Sequence, residues 1–201
     1  MVPLRQNPDW LRIAPATRAT RAVKPQGGFS LIEAIIVLVI VGIVAAIGLP
    51  GFGEFSNRNR MSAATNGLVG ALHAARSESI TRGASTIVCP SLNADSPAAT
   101  CANNGDWSKG IIVFVDDNGN GARDDSVPPE DLIHQVEELK GGFTFTPDAI
   151  YQEKVRFSDN GYSVNIAGIP LSGSFTIEYP NQDARTVSVS ANGRVSSKVT
   201  P

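Results

Sequence analysis

The sequence is poor in cysteine, histidine, aromatic residues and charge. Its 201 residues include 2 Cys and 2 His, 6% are aromatic and 18% are charged, and the net charge is −2. Two cysteines cannot build a disulfide-dense scaffold, and two isolated histidines give no zinc-ligand spacing. Charge is too balanced for a general nucleic-acid-binding protein and too sparse for a disordered one. The composition therefore predicts one domain of ordinary size.

Known catalytic motifs are also absent from the sequence. It has no Gly-x-Ser-x-Gly elbow, phosphate-binding Walker loop, His-Glu-x-x-His pair or dinucleotide-binding glycine pattern. The acidic pairs Glu130-Asp131 and Glu137-Glu138 are expected on solvated faces and at a strand end. The sequence therefore predicts a protein that is not an enzyme and needs no cofactor.

Charge and hydropathy are unevenly distributed near the N-terminus. Residues 1–28 carry five basic side chains and one acid, whereas Glu33 is the single charged residue in the apolar run 29–49. As a helix this run is about 31 Å long, which matches the hydrocarbon core of a bilayer. The basic residues before it predict one span with the N-terminus in the cytoplasm. Two alternatives are a secretory signal cleaved near Ala45-Ala46 and a transit peptide, whose helix the prolines would interrupt.

The junction between the basic segment and the apolar run has a more specific pattern. Its sequence is Gly27-Gly28-Phe29-Ser30-Leu31-Ile32-Glu33. It resembles the class III leader of type IV pilins and of type II secretion pseudopilins. The resemblance implies that a prepilin peptidase cuts between Gly28 and Phe29 and methylates Phe29. It also implies that Glu33 pairs with the N-terminal amine of a neighbouring subunit, the alternative being a carboxylate that snorkels to the membrane interface.

A second helical pattern follows Pro50, where a kink or an unwound turn is expected. In residues 51–82, apolar and small residues recur every three or four positions, while charged residues occupy other faces. The members of this stripe are Met61, Thr65, Leu68, Leu72, Ala75 and Ser79. The pattern predicts an amphipathic helix that packs against a sheet.

From Ala84 the periodicity changes to two, with Gly, Pro, Asn and Asp clusters between the runs. Strands are predicted at residues 86–89, 110–115, 132–136, 143–146, 155–157, 174–179, 186–190 and 193–196. A long helix followed by a strand meander is typical of the α+β class.

The stretch from Trp107 to Asp124 carries a second resemblance. Trp107 and Gly110 lead an apolar strand that runs into Asp116 and an Asn-Gly-rich turn. This pattern is similar to the GspH/FimT branch of minor pilins and pseudopilins, which shares the leader. Over residues 27 to about 197, the resemblance implies a type IV pilin-like fold with a long N-terminal helix on an antiparallel β-sheet head.

This resemblance implies a division of the chain into four segments. Residues 1–28 form the prepilin leader, 29–50 the transmembrane and filament-core helix, 51–82 the amphipathic half of that helix, and 83–201 a periplasmic β-rich domain.

The implied function is that of a non-enzymatic filament subunit. Such a subunit is held in the bacterial inner membrane with its C-terminal domain in the periplasm, meets the prepilin peptidase, and assembles with other pilins or pseudopilins at or near a fibre tip. A minor type IV pilin is the main hypothesis, and a GspH-type pseudopilin of a type II secretion system is its close alternative. A membrane-anchored periplasmic binding domain that never polymerises is the third.

Cys89 and Cys101 flank a loop rich in Ser, Ala, Asn and Pro. With the predicted topology both lie in an oxidising compartment, where a disulfide is the default state. Closing a loop of this size stabilises the fold by about 3 kcal/mol on the chain-entropy model.

Asp116, Asn118 and Asn120 match the opening of an EF-hand calcium loop. The expected twelfth-position glutamate is replaced by Val127, and the Asn-Gly pairs also suit a hairpin turn. A turn is the favoured interpretation, and a calcium site is the weaker one.

DNA is the remaining candidate partner, because FimT-type pilins of competent bacteria resemble DNA receptors with contacts around a Gly-Arg motif near the C-terminus. Here the motif is Gly193-Arg194, with Lys198 following and Arg185 on the preceding strand. Ser196 stands where the family pattern has a second Arg, so only a weak, salt-sensitive patch is expected. A plain hairpin with a solvated Arg194 is the favoured alternative.

Overall fold

The computed structural model describes residues 28–103, 105–124 and 130–200, and residues 47–52 by their backbone alone. Apart from Gly28, the predicted leader lies outside the described residues. The chain divides into two compact units, Met1–Ile47 and Gly48–Pro201.

In the described part of the chain, one α-helix, α1, runs from Leu31 to Arg82. The backbone stays helical at Pro50, so the unwound turn expected there is not formed. The helix ends where Gly83 takes a positive φ of 61° and the amide of Ala84 donates to the carbonyl of Ser79 at 3.2 Å. This is a Schellman-type end, which glycine favours because it has no Cβ.

The predicted stripe on the second half of α1 is buried, which confirms its role. Its six members, residues 61, 65, 68, 72, 75 and 79, are each at most 2% exposed. Gly67 allows a close approach of the sheet, because a Cβ there would lie 3.3 Å from Cγ1 of Val136. Arg76 lies beside the stripe, where Nε donates to the carbonyl of Gly161 and Nη2 to the carbonyl of Asn192. The helix is therefore tied to two turns of the β-rich region.

Nine strands follow α1 in the described part of the chain. They are β1 (Thr86–Pro90), β2 (Ile111–Val115), β3 (Leu132–Val136), β4 (Thr144–Pro147), β5 (Val155–Phe157), β6 (Ser163–Val164), β7 (Gly173–Glu178), β8 (Ala184–Val189) and β9 (Val195–Thr200). Eight were predicted, and the two-residue β6 was not. The predicted α+β class is confirmed.

The strands form two antiparallel sheets, a division that the strand pattern did not predict. One sheet has the order β3-β2-β1-β5-β6, and the other has the order β4-β7-β8-β9. The two five-residue strands that are buried throughout, β1 and β2, pair with each other inside the first sheet. Burial on both faces explains why β2 is apolar at every position.

One hydrophobic core joins the second half of α1 to both sheets. Trp107 is fully buried within it, its Nε1 donates to the carbonyl of Gln152 at 3.2 Å, and its ring centroid lies 4.8 Å from that of Phe175. A buried tryptophan needs such a partner for its indole N–H. A smaller cluster around Ile87 and Phe114 packs on the other face of the first sheet.

Candidate functional site

The described part of the N-terminal unit contains an exposed apolar stretch of α1. Every described residue from 29 to 46 is exposed, including Phe29 at 85% and Leu31 at 80%. Glu33 lies in the first turn of α1 and forms no ion pair within the described part of the chain. Large exposed apolar surfaces mark contacts with lipid or with other proteins. Searching only the described residues, we find no helix that is long and apolar enough to cross a membrane.

The predicted disulfide is present between Cys89 at the end of β1 and Cys101, whose Cα atoms are 5.6 Å apart. Cys89 is fully buried, and the amide of Ala102 donates to the carbonyl of Pro90 at 2.7 Å. The bridge therefore closes the loop over the outer face of the first sheet, where Ala94 and Ala99 pack beside it.

The loop after β2 is held by a buried ion pair. Asp116 is 3% exposed, and its Oδ2 lies 2.6 Å from Nη2 of Arg156 on β5 and accepts the amide of Gly121 at 3.1 Å. Its Oδ1 is buried and has no hydrogen-bond partner among the described residues. Nη2 of Arg156 also donates to the carbonyl of Gly119 at 3.3 Å. Arg156 therefore already supplies the positive charge beside Asp116.

The other two calcium candidates close turns. Oδ1 of Asn118 accepts the amide of Asn120 at 2.9 Å, and Oδ1 of Asn120 accepts the amide of Ala122 at 2.7 Å. Both side-chain amides donate to Asp124. These are Asx turns, in which each side-chain oxygen accepts one main-chain amide of the loop. In the part of the chain that the structure describes, no three His, Cys, Asp or Glu side chains are grouped to hold a metal ion.

Glu130 corrects one prediction, because it was expected on a solvated face and is only 5% exposed. Its Oε1 accepts the amide of Asp117 at 3.1 Å, and its Oε2 accepts the amide of Asp124 at 3.0 Å. Main-chain amides in a loop between strands have no ladder partner, so a buried carboxylate can bind them instead. Its neighbour Asp131 is exposed, as predicted, and pairs with Arg82 at 2.6 Å.

Arg185 and Lys198, two of the three basic residues that were candidates for DNA binding, lie on opposite faces of the second sheet. Residues directly opposite in an antiparallel pair share a face. Arg185 shares the face of the buried Val187, and its Nη2 donates to Oγ of Ser62 on α1 at 3.2 Å. Lys198 is opposite Thr186, on the outer face of the sheet. Arg185 and Lys198 therefore do not form one patch.

Arg194 lies one residue before β9 and is exposed. Its carbonyl accepts the amide of Ser190 at 3.0 Å, and Gly193 between the two strands has a φ of 74°. The predicted Asn192-Gly193 hairpin turn is therefore present. Of the three DNA-binding candidates, Arg194 and Lys198 stay available for a shared contact with an anion.

Sequence analysis missed Arg156 and Arg76. Both lie far along the chain from the groups that they bind, Asp116 in one case and the carbonyls of Gly161 and Asn192 in the other. Arg156 carries a usable signal, because it is the central residue of a three-residue strand that is otherwise buried.

Comparisons with known proteins show which families this chain resembles. Residues 64–193 match the family model described as Type II transport protein GspH, and residues 23–49 match the prokaryotic N-terminal methylation motif. The chain is 51% identical over 41 residues to the fimbrial protein EcpC of Eikenella corrodens, and this match spans 20% of the chain and only 27% of that protein.

A crystal structure of the type IV minor pilin FimU of Pseudomonas aeruginosa has a similar fold. Its TM-score is 0.51 at 20% sequence identity, over 73% of this chain and 92% of that chain. The GspH model matches more than half of the chain. The protein therefore belongs to the GspH family of minor pilins and pseudopilins.

Proposed function

We propose that the protein is a minor type IV pilin, a filament subunit that waits in the inner membrane and is added at or near the fibre tip. The observation that supports this most is the pairing of an N-terminal methylation motif with a GspH-type head in one chain. An exposed apolar N-terminal helix fits both stages, because lipid covers it before assembly and neighbouring helices cover it afterwards.

Processing is proposed at the bond between Gly28 and Phe29. Phe29 is exposed, and a Cβ added at Gly28 would meet no atom within 4 Å, so side-chain size at Gly28 matters to the peptidase and not to this fold. After cleavage, Phe29 carries the new amine and its proposed methyl group. The basic leader holds the bond on the cytoplasmic side.

Glu33 is the proposed assembly residue. A carboxylate in a lipid-facing helix costs roughly 2.5 to 3.5 kcal/mol on insertion scales, so it needs a cationic partner. Within the described residues Glu33 has none, and the methylated amine of a neighbouring subunit would supply it.

The test compares matched variants in the source bacterium. Gly28→Val is expected to leave an uncut precursor by intact-mass measurement, while Gly28→Ala, which adds one methyl group, is cut. Glu33→Gln is expected to be processed normally and to be missing from sheared filaments. Normal incorporation of Glu33→Gln, with no redundant subunit present, would favour the non-polymerising anchored domain.

A pseudopilin of a type II secretion system is the second candidate, favoured by the description of the matching family model. The two functions predict different losses in a deletion strain. A minor pilin is needed for surface filaments and twitching, whereas a pseudopilin is needed for export of folded exoproteins. Loss of export with intact filaments would replace the first proposal with the second.

A further inference from the structure

The described sheets have four edge strands, and β9 is the least protected of them. Strand β3 pairs with β2 through a register shift, β6 has two residues, and β4 ends in Pro147. Strand β9 has six residues, pairs with β8 in unbroken register and contains no proline. Natural edge strands usually carry bulges, prolines or several charges that prevent pairing with another chain. On β9, Lys198 is the single charge.

The open edge presents a regular row of main-chain groups. The amide of Ser190 donates to the carbonyl of the opposite residue, Arg194, which makes this a hydrogen-bonded pair. Such pairs alternate with non-bonded pairs along an antiparallel ladder. The register therefore directs the amides and carbonyls of alternate β9 residues away from β8, namely those of Val195, Ser197 and Val199.

A groove lies beside this edge on the face toward α1. It has a volume of about 410 Å³ and two apolar lining side chains, Met61 and Val199. The rest of its lining is polar or charged: Glu54, Arg58, Asn181, Gln182, Asp183 and Arg185. Val199 is an apolar side chain left 55% exposed. A strand added along β9 would cover Val199 with its inward side chains and present its outward side chains beside Lys198.

We propose that β9 binds an extended segment of another pilin-family subunit, which joins the four-stranded sheet as a fifth strand. This inference rests on the proposed function for the class of partner. Main-chain hydrogen bonds supply the affinity, as in other cases of strand addition. The fitting segment alternates apolar residues toward Val199 with polar residues on the outer face, including a carboxylate across from Lys198.

Charge distinguishes this partner from a second copy of the chain. Lys198 is exposed and forms no ion pair within the described residues, so an acidic residue opposite it gains a partner. A second β9 contains no acidic residue, so the pairing of two β9 strands gives Lys198 no counter-charge in any register, and a pairing centred on Lys198 would place two lysines directly opposite each other.

The test places a photoreactive p-benzoylphenylalanine at Val199 of the full-length chain in living cells of the source bacterium. A matched control carries the same group at Leu92, which is 67% exposed and follows β1 of the other sheet. Mass spectrometry identifies the adduct. We expect an adduct with a different pilin-family subunit at Val199 and not at Leu92.

Two substitutions then test the mechanism. Ser197→Pro removes an amide that faces the open edge and is tolerated at such positions, whereas Ser197→Ala keeps the amide. We expect the Val199 adduct to fall roughly tenfold with proline and to persist with alanine, since a partner carbonyl would lose its donor. If proline lowers the melting temperature, Lys198→Glu replaces it and is expected to weaken the adduct through repulsion of the partner carboxylate.

An adduct with a second copy, no adduct, or an adduct unaffected by both Ser197→Pro and Lys198→Glu would overturn the inference. Because cross-linking is read in whole cells, its result is separate from filament incorporation. A chain that enters filaments without this adduct contradicts only the β9 proposal. A chain that cross-links but stays out of filaments contradicts only the proposed function.

Discussion

The turn between β8 and β9 offers a sharp test of how the head is packed, through the substitution Gly193→Ala. Gly193 is buried, has a φ of 74°, and its amide donates to the carbonyl of Ser190 at 2.7 Å. A Cβ at this position would lie 1.9 Å from the carbonyl oxygen of Gly161 and 2.9 Å from Nε of Arg76. Alanine therefore cannot be accommodated unless two turns move apart.

The expected loss of unfolding free energy in Gly193→Ala has two parts. A left-handed backbone conformation costs alanine roughly 1 to 2 kcal/mol relative to glycine. The collision forces the Gly161 carbonyl to retreat by about 1 Å and breaks the bonds that Arg76 makes to Gly161 and Asn192, at about 1.5 kcal/mol or more for each bond from a charged donor. The sum is roughly 4 to 5 kcal/mol.

Gly119→Ala is the matched control. Gly119 has a φ of 76°, nearly the same as that of Gly193, but a Cβ there meets no atom within 4 Å. For Gly119→Ala only the cost of the left-handed backbone applies, so the expected loss of unfolding free energy is roughly 1 to 2 kcal/mol. The difference between the two variants therefore isolates the steric collision.

Thermal unfolding of a fragment covering residues 53–201 measures both losses. At about 2 to 4 °C per kcal/mol for a domain of this size, Gly193→Ala is expected to melt roughly 8 to 20 °C below the parent and Gly119→Ala roughly 2 to 8 °C below it. Equal losses in the two variants would refute the close packing of Gly193 against Gly161.

Four further predictions concern the loop and the sheets. Arg156→Met leaves Asp116 buried without a counter-charge and is expected to cost about 3 to 5 kcal/mol in urea unfolding, while a smaller cost in Arg156→Met/Asp116→Leu would show that the orphaned charge is the cause. Millimolar calcium is expected to leave the melting temperature unchanged, and a rise would revive the calcium site. Burial raises the pKa of Tyr151, so the folded state keeps the neutral phenol and stability falls as pH rises above about 10; Tyr151→Phe is expected to lose less stability there than the parent does. Any binding of duplex DNA is expected to weaken with salt and with Lys198→Gln but not with Arg185→Gln, and no binding at low salt would remove DNA as a partner.

The helices and strands could be predicted where the apolar residues follow one clear periodicity. The buried stripe of α1 follows the helical repeat because one face packs on the core along its length. Strand β6 escaped detection because two residues cannot show an alternation. The end of β9 was placed four residues early, at residue 196 instead of Thr200, since an edge strand exposed on both faces has no apolar period to follow.

The division into two sheets was not predictable from local pattern. Strand β5 pairs with β1, about 70 residues earlier, and inserts between it and β6. Such a pairing depends on packing in three dimensions, because hairpin signals act only between neighbouring strands. The same limit hid the role of Arg156 on β5, whose partner Asp116 lies in the loop after β2.

The positions of the three basic DNA-binding candidates could be predicted in part from the sequence. Arg185 alternates with Val187 and Val189, and two apolar residues at that spacing already indicate a face directed toward the core. The Asn192-Gly193 turn fixes the pairing of β8 with β9, and this register places Lys198 opposite Thr186 on the other face. Treating the three basic residues as one patch ignored this alternation. What the alternation could not show is that Ser62 of α1 would hold the Arg185 guanidinium, because that contact depends on how the helix lies across the sheet.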